Sequence, residues 1–293
     1  MPSNTPDTPP SYLTTREVAD LIRVKERKVY DLAGADEIPH RRVTGKLLFP
    51  RKEILDWIDG DKKPVPKQRP PVVSGSHDPL LDWAIRESVC GLATLFNGSS
   101  EGLERFTEGA AALTGLHIPA GDAWNIPELE HREMQNCVLI SFAQRQRGLI
   151  LSHGAAPDVA RLRDLAGAKF VLRQAGAGAQ ALLTQLLEDE MMSAHPFASS
   201  SPTARTESDA AAMVADGEGD ATLGLAAMAK RFSLRFVPLL QERYDLLVDR
   251  RAYFEPQVQK LMTFLRHPVL AKKAAAMTGY DMSVCGQVRW NAP

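Results

Sequence analysis

The chain has 293 residues, of which 44% are hydrophobic and 24% charged, with a formal net charge of −1. That length suits about two domains, and the composition is that of an ordinary globular protein. A uniformly polycationic or polyanionic chain is excluded. The three cysteines, Cys90, Cys137 and Cys285, are scattered and form no CxxC, so neither a disulfide framework nor a zinc site is expected.

Residues 1–11 are rich in Pro, Ser and Thr, lack an apolar segment of signal-peptide type, and read as a disordered tail. No apolar stretch approaches the roughly 20 residues that span a bilayer. A cytoplasmic protein without membrane attachment is therefore expected. Charge is unevenly spread. The first 70 residues carry 14 Lys and Arg against 11 Asp and Glu, net +3, leaving 21 against 25 from totals of 35 and 36, net −4. A mildly basic front on an acidic body suggests local contact with nucleic acid.

A compact unit is expected over residues 12–59. Thr14 and Glu17 form a capping box that opens a helix, with Val18, Ala19, Leu21 and Ile22 as its apolar face. After a break at Arg23-Val24, a second helix over 25–33 turns Val29 and Leu32 inward. Lys25, Arg27 and Lys28 face outward near its start. Thr44-Gly45 is a two-residue hairpin turn between short strands carrying Arg41, Arg42 and Lys46. Residues 50–58 read as a third helix closing the unit through Ile54, Leu55, Trp57 and Ile58.

The pattern LTTREVADLIRVKERKVYDLA, then IPHRRVTGKLLF, then a helix ending DWI, resembles the winged helix-turn-helix of the excisionase and MerR-like families. That resemblance implies double-stranded DNA as partner, a homodimer on two half-sites, and contacts from Thr15, Lys25, Arg27, Lys28, Tyr30, Arg41, Arg42 and Lys46. The families often place Gly before the "IP" stretch. Here Asp36-Glu37 stands there, and Asp tolerates a left-handed backbone. A helical protein-interaction module with a solvated basic face is the alternative.

Residues 60–73, with their prolines and lysines, read as an extended linker. From residue 74 to 293 an α/β body is expected. Strand-like runs lie at 91–96, 137–142, 169–172 and 244–248, and helical stretches at 102–113, 178–190 and 257–265. Three loops combine small residues with the start of a helix: Gly75-Ser76-His77-Asp78, Asn97-Gly98-Ser99-Ser100, and Arg173-Gln174-Ala175-Gly176-Ala177-Gly178. Such loops let backbone amides and hydroxyls approach an anion.

The segments GSHDP, NGSSEGL, SFAQRQRGLIL, RQAGAGAQALL, GDATLGLAAMA and RFVPLLQERYDLLV resemble the two-lobed type II periplasmic-binding-protein-like domain of the molybdate- and tungstate-binding type. The resemblance implies lobe I at 74–143 and 249–293, lobe II at 150–236, and two crossing segments, LISFAQRQRGLIL and RFVPLLQERYDLLV. It also implies a small anion in the cleft: molybdate, tungstate, or a larger anion such as the molybdenum cofactor. The expected ligand residues are Ser76, His77, Gly98, Ser99, Ser100, Arg145, Arg173, Gln174, Gly176, Gly178, Asp220 and Tyr244. No GxSxG, P-loop, HExxH or paired Cys/His cluster is present, so no enzyme is expected, no cofactor is required, and no side chain is expected to ligate a metal. The resulting expectation is a transcription regulator that senses an anion. The rival is a cytosolic storage or delivery protein with a protein-binding head.

Overall fold

The computed structural model describes residues 10–58, 68–199 and 203–293. Residues 1–9 of the expected tail and 60–67 of the expected linker lie outside them. The chain divides into two compact units, residues 1–67 and 68–293.

The first unit runs β1 (Tyr12–Leu13), α1 (Thr15–Leu21), α2 (Glu26–Gly34), β2 (Arg41–Val43), β3 (Lys46–Pro50) and α3 (Arg51–Ile58). The capping box forms: the Thr14 hydroxyl accepts from the Glu17 amide, and Glu17 accepts from the Thr14 amide at 2.7 Å. Val18, Ala19, Val29, Ala33, Ile38, Phe49 and Ile54 make the small core. Val43 pairs with Lys46 across Thr44-Gly45, both at positive φ, which gives the twist a two-residue hairpin needs. Asp36 sits at φ 60°, the left-handed position expected of it. Two expectations fail here. Of the apolar residues in α3 only Ile54 is buried, while Leu55, Trp57 and Ile58 are exposed, because eight residues can turn only one narrow stripe onto so small a core. Leu21 is exposed as well.

The second unit contains β4 (Val72–Gly75), α4 (Pro79–Glu87), β5 (Ala93–Leu95), α5 (Ser99–Thr107), β6 (Leu113–Leu116), α6 (Ile126–His131) and β7 (Cys137–Leu151). It continues with β8 (Lys169–Val171), α7 (Gly178–Asp189), β9 (Ala198–Ser199), α8 (Glu207–Ala215), β10 (Ala221–Leu225), α9 (Ala226–Arg231) and β11 (Arg235–Asp249). It ends with α10 (Pro256–Phe264), α11 (Pro268–Ala276), β12 (Tyr280–Asp281) and β13 (Val288–Asn291). The sheet order is β5-β4-β6-β11-β7-β10-β8-β9, with β12 and β13 also on β7.

The 15-residue strands β7 and β11 pair antiparallel along their whole length, from Cys137 opposite Asp249 to Leu151 opposite Arg235. They carry the two expected crossings. At one end they join the parallel set β5-β4-β6, and at the other the parallel set β8-β10. Each end is a lobe covered on both faces. In lobe I one core gathers Leu80, Leu81, Phe142 and Leu261, and another gathers Leu103, Phe106, Leu116 and Leu247. In lobe II the layers centre on Leu149, Phe170 and Leu183, and on Ile150, Ala211 and Met228.

The body starts before residue 74. Arg69 pairs with Asp249 at 3.0 Å and lies over the Phe106 ring, and β4 begins at Val72. The helix expected over 102–113 ends at Thr107. Gly109 adopts φ 77°, and Leu113 opens β6, a strand too short and too rich in Thr and Gly to stand out in the sequence.

Candidate functional site

In open α/β sheets, ligands meet the loops at the carboxyl ends of the parallel strands. Here those ends are Ser76-His77-Asp78 after β4, Asn97-Gly98 after β5, His117 after β6 and residues 173–178 after β8. They converge. The Ser76 and Ser99 hydroxyls share a hydrogen bond at 2.8 Å, and Ser99 Oγ also accepts from the His117 amide at 3.2 Å. Across the cleft, the Ser100 amide donates to the Gly176 carbonyl at 3.3 Å and Gln174 Nε2 to the Asn97 carbonyl at 2.6 Å. Gly98 holds φ 107°, and a Cβ there would collide with the Gly176 carbonyl oxygen. A Cβ on Gly178 would lie 2.8 Å from His117 Nε2. Both glycines are therefore demanded by the approach of one lobe to the other. A cavity of about 330 Å³ opens at this rim, lined by Asn97, Glu101, Gln174, Gly176 and Arg205.

His77 stands beside the serines. Its Nδ1 is buried with no hydrogen-bond partner among the described residues, and its ring meets Phe96 edge-on at 5.6 Å. Burial lowers its pKa, outweighing the pull of Asp78 and Glu207, so the ring is neutral near pH 7.

The floor of the cleft is a charged network. Arg145 and Arg147 stand two residues apart on β7, hence on one face of the strand. Arg145 donates to Asp78 at 2.8 Å and pairs with Glu242, its cross-strand neighbour on β11, at 2.5 Å. Arg147 pairs with Glu242 at 2.7 Å and with Glu207, at the start of α8, at 3.0 Å. Arg173 reaches the same Glu207 at 2.9 Å, and His117 Nδ1 lies 3.1 Å from Glu242. Burial alone would raise the Glu207 carboxyl, but Arg147 and Arg173 prevail and hold its pKa at about 2. Glu242 is likewise held well below the usual carboxylate range against its burial. Burial lowers His117 despite the attraction of Glu242. Three guanidiniums thus face three carboxylates, Asp78, Glu207 and Glu242, beside two neutral imidazoles.

Of the expected ligand residues, Ser76, His77, Gly98, Ser99, Ser100, Gln174, Gly176 and Gly178 meet in one place. Arg145, Arg173, Tyr244 and Asp220 depart from expectation. Arg145 is fully buried and committed to Asp78 and Glu242. Arg173 is spent on Glu207 and on the Ala204 and Arg205 carbonyls. Tyr244 is fully buried, and its hydroxyl donates to the Ser76 carbonyl, so it positions that loop from beneath. Asp220 is exposed at the amino end of β10, accepting from the Lys169 amide at 2.8 Å, and is remote from the carboxyl ends that form the cleft. Asp78, His117, Glu207 and Glu242 were missed. The available signal was a pair of arginines inside an apolar strand, which cannot be buried without carboxylate partners.

In the first unit, Lys25, Arg27, Lys28, Tyr30, Arg42 and Lys46 are exposed. Arg41 is exposed but paired with Glu53 at 2.9 Å. Thr15, expected to meet DNA, is buried in the first turn of α1, because the N-cap role falls to Thr14 and Thr15 turns onto the core.

A family profile described as a helix-turn-helix domain matches residues 12–62, and one described as the PBP superfamily domain matches residues 84–266. The chain is 24% identical over 305 residues to the uncharacterized protein YvgK of Bacillus subtilis (strain 168), covering 95% of this chain and 97% of that one. A substrate-binding protein from Clostridium perfringens, solved with bound phosphate, superimposes with a TM-score of 0.54 at 12% identity, over 70% of this chain and 96% of that one. The tungstate ABC transporter structure from Geobacter sulfurreducens gives 0.52 at 12% identity, over 70% and 97%. Among the described residues no helix is long and apolar enough to cross a membrane.

Proposed function

Because this chain belongs to the PBP superfamily domain family and carries a helix-turn-helix domain ahead of that domain, we propose that it is a DNA-binding transcription regulator whose body senses a small tetrahedral oxyanion. Molybdate and tungstate are the first candidates. The observation that carries this reading is the convergence of the Ser76, Ser99–Ser100 and Gly176–Gly178 loops beside the unpartnered His77 nitrogen.

The donors left for a ligand at the cleft floor are neutral. Every guanidinium on the cleft floor is matched to a carboxylate, so among the described residues the floor offers no free cation to the anion, and Arg205 stands at the rim. Hydroxyls, loop amides at helix starts and the His77 ring remain. Such a set suits a bare oxyanion better than a large phosphorylated cofactor. The likeness to a substrate-binding protein solved with bound phosphate and to a tungstate transporter supports the same chemistry. The body binds and does not catalyse.

Ligand contacts both lobes only when they approach, so it favours the closed form by its differential affinity. Closure then alters how two copies present their heads to two half-sites in the cytoplasm. Fluorescence anisotropy of operator DNA tests this. Adding the oxyanion is expected to change DNA affinity at least fivefold. Equal affinity with and without ligand rules out sensing through DNA affinity, and duplex affinity unchanged by Arg27→Ala with Lys28→Ala favours the storage or delivery protein.

A further inference from the structure

A second concave surface lies apart from the serine-lined loops. It is a groove of about 550 Å³ bounded by Pro79, Trp83 and Arg86 of α4, Ala227, Met228, Lys230 and Arg231 of α9, and Lys273, Ala276, Met277 and Thr278 of α11 and the turn after it. Four cations line it and no carboxylate does.

Elsewhere in the body the arginines are divided: Arg235 and Arg250 bond carbonyl and amide oxygens, while others are matched to carboxylates. Arg105, Arg132, Arg161, Arg163 and Arg289 each have a carboxylate within ion-pair distance. In the groove only Arg86 does, bound to Asp82 at 2.7 Å. Lys273 has the Trp83 ring, 5.4 Å away. Arg231 has a long contact to the Ser208 hydroxyl at 3.4 Å and the Phe232 ring. Lys230 has no ion pair among the described residues. Unmatched cations occur elsewhere on the body, but here three of them gather around one hollow that no carboxylate lines. Each also lies in the last turn of its helix, where the dipole favours a positive charge. That accounts for them singly. It does not account for their convergence on one groove running alongside the helices.

We propose that this groove is a second binding site, for a small molecule carrying two or more phosphate groups. Its volume falls in the range of small-molecule sites. Lys supplies point charges and Arg a planar fork, both suited to phosphate oxygens. The site shares no lining residue with the cleft-rim cavity but is coupled to the cleft. α9 belongs to lobe II and α4 and α11 to lobe I, so the distance between Lys230 and Lys273 changes as the lobes move. An occupant bridging them favours one lobe arrangement.

The test is calorimetry of the full chain with inorganic tripolyphosphate at low salt. The variants are the groove double Lys230→Glu with Lys273→Glu and the head double Arg27→Ala with Lys28→Ala. The expected result is binding by the wild type and the head double alike, at least tenfold weaker binding by the groove double, and undiminished binding with molybdate in excess. No heat with the wild type overturns the proposal. So does groove-double binding within twofold of wild type, or a groove double that loses duplex affinity while keeping tripolyphosphate. Failure of the cleft to bind molybdate would leave these outcomes unaffected.

Discussion

In the head, Lys25, Arg27, Lys28 and Arg42 project into solvent with no carboxylate within ion-pair distance among the described residues, whereas in the body Arg145, Arg147 and Arg173 are buried and each is bound by one. The same side-chain type serves opposite ends. An exposed, unmatched guanidinium is open to a phosphate backbone and costs the fold nothing when removed. A buried, matched one holds two strands and a helix start in register and cannot turn to a ligand. The contrast teaches that an arginine in a binding-protein fold is not by itself an anion contact. Its partners decide.

The largest effect is expected where the comparison is broken from the body's side. Glu242→Ala leaves Arg145 and Arg147 buried with too little counter-charge, a loss of about 3–5 kcal/mol. Chemical denaturation should show the body's transition shifted by that amount and the head's unmoved. Next comes Gly98→Val, which puts a β-branched side chain at φ 107° against the Gly176 carbonyl. Oxyanion affinity measured by calorimetry should fall at least tenfold, because the lobes can no longer meet. From the head's side, Arg27→Ala with Lys28→Ala should leave stability within about 0.5 kcal/mol. Duplex affinity should fall, and the slope of log affinity against log salt should shrink by roughly 1 for each phosphate no longer neutralised.

A smaller effect separates the two units by pH. His117 and His77 have folded pKa values below 6.5 because burial disfavours their charged forms. The unfolded chain therefore binds more protons below pH 6.5, and the body's stability falls as pH drops through that value. Glu207, held at about 2 against its ordinary 4.5, contributes stability present above pH 4.5 that is lost between 4.5 and 2. Thermal melts from pH 8 to 5 should lower the body's transition more than the head's. The smallest effect is Asp36→Gly, which relieves a left-handed backbone at φ 60° and should stabilise the head by less than about 1 kcal/mol in the same melts.

The head was readable because its signals are local. A capping box, a two-residue turn and charges three or four apart each act within one turn or hairpin, and Thr14, Thr44 and Asp36 adopt what those signals ask. The burial of Thr15 and the exposure of Trp57 were not readable, since one-residue shifts in phase decide which side of a short helix meets the core. In the body, the loops after β4, β5 and β8 were visible as glycine and serine clusters, and so was the pair of long crossing strands. The carboxylates were not. Asp78 and Glu242 come within 3 Å of Arg145 from 67 and 97 positions away in the chain, a distance only topology closes. Asp220 misled because a strand's amino end and carboxyl end look alike in sequence, while only one of them faces the cleft.

The central claim, that the body grips an oxyanion through neutral donors while the arginines of the cleft floor stay internally paired, is tested most directly by calorimetry with molybdate, tungstate, phosphate and sulfate on the wild type and on Ser76→Ala with Ser99→Ala. Binding of at least one of these ions, weakened tenfold or more in the serine double with its melting curve little changed, is the result this account predicts. Silence with all four ions, or undiminished affinity once both hydroxyls are gone, would contradict it.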